Sequence, residues 1–158
     1  MTAHLLIWSP RKVPWPELPA VAARVAAGQT VSDVWGCGVS RAIWPGDRVF
    51  LHRVAVAPRG LFGSGHVTRA PYEVADATRK RGFRLCIDIV YDWLDDAHVR
   101  VTLPREALNA HPLSIQTWDA QCSGTHLKPI VEGALEQRWR ALTRPLAVDA
   151  SAQSGASR

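Results

Sequence analysis

At 158 residues, 47% of them apolar, the chain has the length of one domain with a single hydrophobic core, and no stretch approaches the roughly 18 consecutive apolar residues that a membrane span needs. Its three cysteines, Cys37, Cys86 and Cys122, are an odd and widely spaced set with no C-x-x-C pair, which argues against a disulfide framework and against a structural zinc site. The formal net charge of +5 favours polyanionic partners, because each phosphate neutralised by lysine or arginine releases condensed counterions.

In chain order, HLLIW (4–8) reads as a buried first strand that stops at Ser9-Pro10, since proline cannot donate to a sheet ladder. The apolar run of MTAHLLIWSPRK is too short for a signal peptide, so a cytoplasmic address is expected. PELPAVAARVAA (16–27) puts Leu18, Val21, Ala22 and Val25 on one helical face, with Pro19 in the first turn and Gly28 as a left-handed stop. PGD (45–47) is a turn signal before RVFLHRVAV (48–56), a strand of β-branched and apolar residues. The glycines at 60, 63 and 65 lack the following helix of a dinucleotide fingerprint and are expected to mark bulges or bends of a small closed barrel.

FRLCIDIVYDWL (83–94) alternates strictly and is the clearest strand; HVRVTL (98–103), beyond the turn Asp95-Asp96-Ala97, is expected to return as its antiparallel partner. PREALNAH (104–111) predicts a short helix opened by proline. PIVEGALEQRWRALTR repeats Ile130, Val131, Ala134, Leu135, Arg138 or Trp139, and Leu142 at helical intervals. Residues 1–143 are expected to form one domain and 144–158 a disordered tail with nothing to bury. Strands with helices before, between and after them, and no regular alternation, predict an α+β fold: a compact barrel with flanking helices.

No catalytic constellation stands out. Ser64 in GSGH lacks the strand-to-helix elbow of a hydrolase, and Ser123 three residues from His126 says little alone. Asp92, Asp95 and Asp96 read as a solvated turn, and Cys37 between two glycines reads as a small buried hydrophobe more readily than as a nucleophile. No metal is expected, because the six histidines show neither H-x-x-x-H nor H-E-x-x-H spacing; no other cofactor is implied. Binding is the stronger theme. Of seven tryptophans, Trp15, Trp93 and Trp139 sit in apolar patterns suited to the core, whereas Trp35 (VWGCGVS) and Trp118 (QTWDAQCSGTH) lie among glycine and polar residues where a ring could stack on a heterocycle.

The order WGCG, PGDRVFLHR, APRGLFGSGHV and then W-x-x-Q-x-SG before a helix ending in LEQRW, from about Leu5 to Trp139, resembles the EVE domains of the PUA-like superfamily, particularly those fused to HNH endonucleases. The resemblance implies a PUA-like curved β-barrel with a pocket for a flipped or single-stranded nucleobase. It implies modified bases as ligands, with methylated or hydroxymethylated cytosine in DNA favoured and an RNA modification as the alternative. Trp35, Gly36 and Cys37 look like the W-C-S type segment of the aromatic cage in related YTH domains. Trp118, Gln121, Ser123 and Gly124 match the W-x-x-Q-x-SG motif and are expected on the opposite wall, with Ser9 facing the pocket. Arg41, Arg48, Arg53, Arg59 and Lys128 are expected to meet phosphates around the mouth. No HNH set of histidine and asparagine is present, so a reader rather than an enzyme is expected, with cleavage left to a separate nuclease partner. An enzyme acting on a modified nucleoside and a module meeting an acidic protein are the rival readings.

Overall fold

A computed structural model describes residues 2–143; the tail expected at 144–158 lies outside them. The elements are β1 (Ala3–Trp8), α1 (Leu18–Ala26), β2 (Ser32–Gly36), β3 (Arg48–Arg53), β4 (Gly60–Ala75), β5 (Phe83–Leu94), β6 (Leu103–Pro104), β7 (Thr125–His126) and α2 (Pro129–Thr143), with short 3₁₀ turns at Arg105–Asn109 and Leu113–Ile115. They build one mixed sheet of seven strands in the order β2-β5-β4-β3-β1-β7, with β6 pairing β4. β1 runs parallel to β3, and β3, β4, β5 and β2 form antiparallel pairs.

Period-two patterning gives the sheet two buried faces. On the inner face Leu6, Val49, Leu51, Phe62, Ile87 and Ile89 form a core that Leu18 and Ala22 of α1 close. On the outer face Leu5, Phe50 and Leu61 meet Val131, Leu135 and Trp139 of α2. α1 has Pro19 in its first turn and ends before Gly28 at φ +83°, as the sequence predicts. In α2 only Val131, Leu135 and Trp139 of the predicted stripe are buried, while Ile130 and Leu142 are exposed, because the outer face of the sheet accepts a single narrow ridge.

β4 curls through three register shifts against β5, the first at Ser64/Gly65, where a Cβ would sit 2.2 Å from the Val90 carbonyl oxygen. The first is a bulge expected of the glycine-rich stretch; the other two, between Val67 and Tyr72, lie beyond its glycines, and all three curve the sheet. The curvature brings the segment after β2 against the segment before β7. A Cβ on Gly38 would lie 2.7 Å from the Ser123 carbonyl oxygen, and one on Gly124 (φ +88°) 2.4 Å from that of Cys37. The Gly124 amide donates to Leu5 O at 2.9 Å, and Ser123 Oγ accepts from the Ile7 amide at 2.7 Å. The segments beyond the two edges of the sheet thus touch backbone to backbone, an approach that only glycine permits.

Two expectations for the middle of the chain need correction. HVRVTL is not the partner of β5: its residues before Leu103 form no strand, and Leu103–Pro104 pair with Gly60 and Leu61 of β4. β2 takes the second side of β5 over Cys86–Val90, so only the last residues of β5 are left without a second neighbour. PREALNAH does form a short helix, of the 3₁₀ kind over Arg105–Asn109, with Pro104 as its N-cap rather than its first residue.

Candidate functional site

Trp8 and Arg53 are partners in the parallel register of β1 and β3, so both side chains enter the inner face at the same level. The guanidinium carbon of Arg53 lies 5.1 Å from the Trp8 ring centroid. Around Trp8 gather Trp15 at 5.6 Å, Phe62 at 5.6 Å and His98 at 5.6 Å, and Trp35 meets Trp15 at 5.7 Å. Most of these contacts are edge-to-face, the arrangement that ring quadrupoles favour. The cluster lies where β1, β3 and β5 finish. Its rings come from three strands, from the irregular segment between β1 and α1 (Trp15) and from the segment after β5 (His98).

Trp35 is fixed by a relay. Its Nε1–H donates to the Tyr91 hydroxyl at 2.8 Å, and that hydroxyl donates to Asp33 Oδ2 at 2.6 Å. Burial and the neighbouring Asp33 carboxylate push the Tyr91 phenol far upward, so it stays a donor. Trp15 is held by its backbone, with its carbonyl oxygen 2.8 Å from His98 Nε2.

The other residues expected at the site are distributed differently. Trp118 does not face Trp35: it is buried in the outer-face core, its indole N–H donating to Leu113 O at 2.8 Å. The expected sandwich of Trp35 and Trp118 is therefore not formed; the sheet lies between their two cores. The WGCG and QCSG segments do meet, but as the backbone seam described above. Ser123 and Gly124 bind β1 through that seam, Gln121 is exposed, and Gly36 and Ser9 are half-buried at the ends of their strands. Cys37 is buried, and burial, with Cys86 nearby, pushes its thiol up to about 11, which leaves no thiolate for nucleophilic chemistry at neutral pH.

Two of the five expected phosphate contacts need correction. Arg48 is on the outer face, where it pairs with Asp92 and donates from Nε to Glu136 Oε1 at 2.7 Å. Arg53 is 5% exposed, inside the aromatic cluster rather than at a rim. Arg41, Arg59 and Lys128 are exposed, the last donating to Ile115 O. Arg11 and Lys12, in the turn that leaves Trp8, are exposed cations not among the expected phosphate contacts. Nor were Trp8, Phe62, Tyr91 and His98 expected at the site, since they looked like ordinary strand or turn residues.

On the outer face a cleft of about 410 Å³ is lined by Arg48, Asp92, Glu136, His66, Trp93 and Arg140, among others. Asp92 is exposed, as expected, but on strand β5 rather than in a turn; it accepts from the buried Ser64 hydroxyl, which in turn accepts from Trp139 Nε1–H at 2.9 Å. The Arg48–Glu136 pair of this cleft links α2 to the sheet. Among the described residues no group of three or more His, Cys, Asp or Glu side chains is placed to hold a metal ion, and no helix is long and apolar enough to cross a membrane.

His52, on the same outer face, is fully buried beside the Trp118 ring, with Nε2 3.8 Å from Asp119. Burial pushes its imidazole down to about 4 from the usual 6.5. The unfolded chain therefore takes up the proton first, so stability is complete above about pH 6.5 and falls as the pH drops toward 4. The loss expected from this group is about 3 kcal/mol, measurable by urea unfolding across that range. His52→Asn should flatten much of the slope.

No protein-family model matches the sequence, and no curated protein matches it. Solved structures do share its architecture. A hypothetical protein from Leishmania major superposes with a TM-score of 0.60 at 16% identity, covering 89% of this chain and 96% of that one. A protein from Pseudomonas putida gives 0.56 at 18% identity, covering 87% and 99%. The human THYN1 protein, in complex with 5-methylcytosine containing DNA, gives 0.55 at 13% identity, covering 88% and 98%. The chain shares with these structures an α+β architecture, one curved mixed sheet of seven strands flanked by two helices.

Proposed function

We propose that this chain is a nucleic-acid reader of the EVE kind, holding a modified base of DNA in the aromatic cluster at the end of the barrel. The observation that carries the reading is the meeting of Trp8, Trp15, Trp35 and Phe62 beside a guanidinium buried without a carboxylate. Aromatic faces and a donor are what a flat heterocycle needs, and stacking contributes about 1–3 kcal/mol per base. Exposed Arg11, Lys12, Arg41 and Arg59, with the net charge of +5, supply the salt-dependent attraction to phosphate. The base would leave its stack to reach the cluster, at a cost of a few kcal/mol that the phosphate contacts and stacking must offset. The shared architecture with a protein bound to 5-methylcytosine DNA supports the choice of DNA and cytosine. Cleavage, where it follows, would belong to a separate nuclease partner.

The test is a binding panel of matched DNA and RNA oligonucleotides carrying cytosine and adenine modifications, read by fluorescence anisotropy at fixed salt. One modified DNA base should bind best, and Trp35→Ala should weaken it by about tenfold or more, the loss of one stacking face. Preference for an RNA member would move the reading to RNA. Equal affinity for every member, unchanged in Trp35→Ala, would refute a base reader.

A further inference from the structure

Arg53 is the only charged side chain on the inner face of β3, in line with Val49 and Leu51. Its Nε donates to Val56 O and its Nη2 to Ala57 O, each at 3.2 Å, and these two carbonyls hold the guanidinium against Trp8. Nη1 is buried and has no hydrogen-bond partner. Among the described residues no carboxylate lies within ion-pair distance of Arg53; those that pair with arginine are taken up by Arg48, Arg79, Arg100 and Arg105. A guanidinium withdrawn from water with one donor unmatched is costly, and an arriving acceptor recovers that cost, most of all if the acceptor is negatively charged. A methyl group offers no acceptor.

Resting on the base-reading proposal, we infer that Arg53 selects the chemistry of the modification: Nη1 donates to an oxygen carried by the base, and an acidic substituent such as a 5-carboxyl group is bound in preference to a methyl. Trp8, Trp35 and Phe62 are on strands, whereas Trp15, 5.6 Å from Trp8, is on the irregular segment between β1 and α1.

The experiment uses one DNA sequence, as duplex and as single strand, with cytosine, 5-methylcytosine or 5-carboxylcytosine at one position. It compares the wild type with Arg53→Gln, Arg53→Lys and Trp35→Ala, each verified to unfold cooperatively. The wild type should bind the carboxyl form about tenfold more tightly than the methyl form, the increment of one charge-assisted hydrogen bond. Arg53→Gln should abolish that preference, and Arg53→Lys, which keeps the charge but not the planar fork, should reduce it at least about threefold. Equal binding of the two forms by the wild type overturns the inference, as does a preference that survives in Arg53→Gln or stands undiminished in Arg53→Lys. Discrimination against unmodified cytosine that depends on Trp35 but not on Arg53 defeats this inference alone. Equal binding of all three bases by both the wild type and Trp35→Ala defeats the base reader itself.

Discussion

Substituting alanine for Gly124 is expected to lower the unfolding free energy by about 2–5 kcal/mol, the sum of a left-handed backbone penalty and an overpacked contact. The residue has φ +88°, and its new Cβ would press to 2.4 Å on the Cys37 carbonyl oxygen, a backbone atom that cannot rotate away. The seam must part or the chain must shift, and either disturbs the segment that follows Trp35. Chemical denaturation gives the stability, and the oligonucleotide panel should show weakened binding in the same variant. Gly133→Ala is the control of opposite sign: Gly133 is inside α2 with open space where a Cβ would stand. It should gain up to about 1 kcal/mol from helix propensity. No loss at Gly124 would show that the backbone seam does not hold the sheet's two edges together.

Trp139→Ala is expected to cost about 3–5 kcal/mol, as for other large aromatic truncations in a core. Its ring meets Phe50 edge-to-face at 5.5 Å, it is 1% exposed, and its indole N–H is the one polar link from the buried ridge of α2 to Ser64. Trp139→Phe separates the contributions, since it keeps much of the volume and loses the donor; a cost of about 1–2 kcal/mol is expected for the hydrogen bond. Urea unfolding of the three proteins checks both figures. Equal losses in the two variants would mean that the hydrogen bond, not the packing, holds α2.

Much of this architecture is legible in the amino-acid order. α1 was readable from Pro19, the Leu18/Ala22 face and Gly28, and β5 from its strict alternation, because these signals are local. The bulge of β4 at Ser64/Gly65 is legible from its glycine, whereas the two between Val67 and Tyr72 carry no such signal. What the sequence hides is register. Nothing local says that Trp8 lies level with Arg53, since their strands are parallel neighbours 45 positions apart, and so Arg53 looked like one more surface cation. Trp118 misled for the complementary reason: its polar flanks, Thr117 and Asp119, are exposed, while its own side chain turns inward under Leu113. HVRVTL does not return along β5, whose second side β2 occupies over Cys86–Val90, and its end pairs with β4 instead, a matter of topology rather than composition. Trp35 joins the aromatic cluster, whereas Trp118, expected opposite it, lies on the other side of the sheet.

The placement of Trp15 among three other rings makes the protein its own reporter. Excitonic coupling between indoles held edge-to-face gives a near-ultraviolet dichroism signal that depends on their mutual angles, and any guest admitted between them must alter it. Occupancy can therefore be followed without a label on either partner, and a titration that saturates without spectral change would place the guest elsewhere.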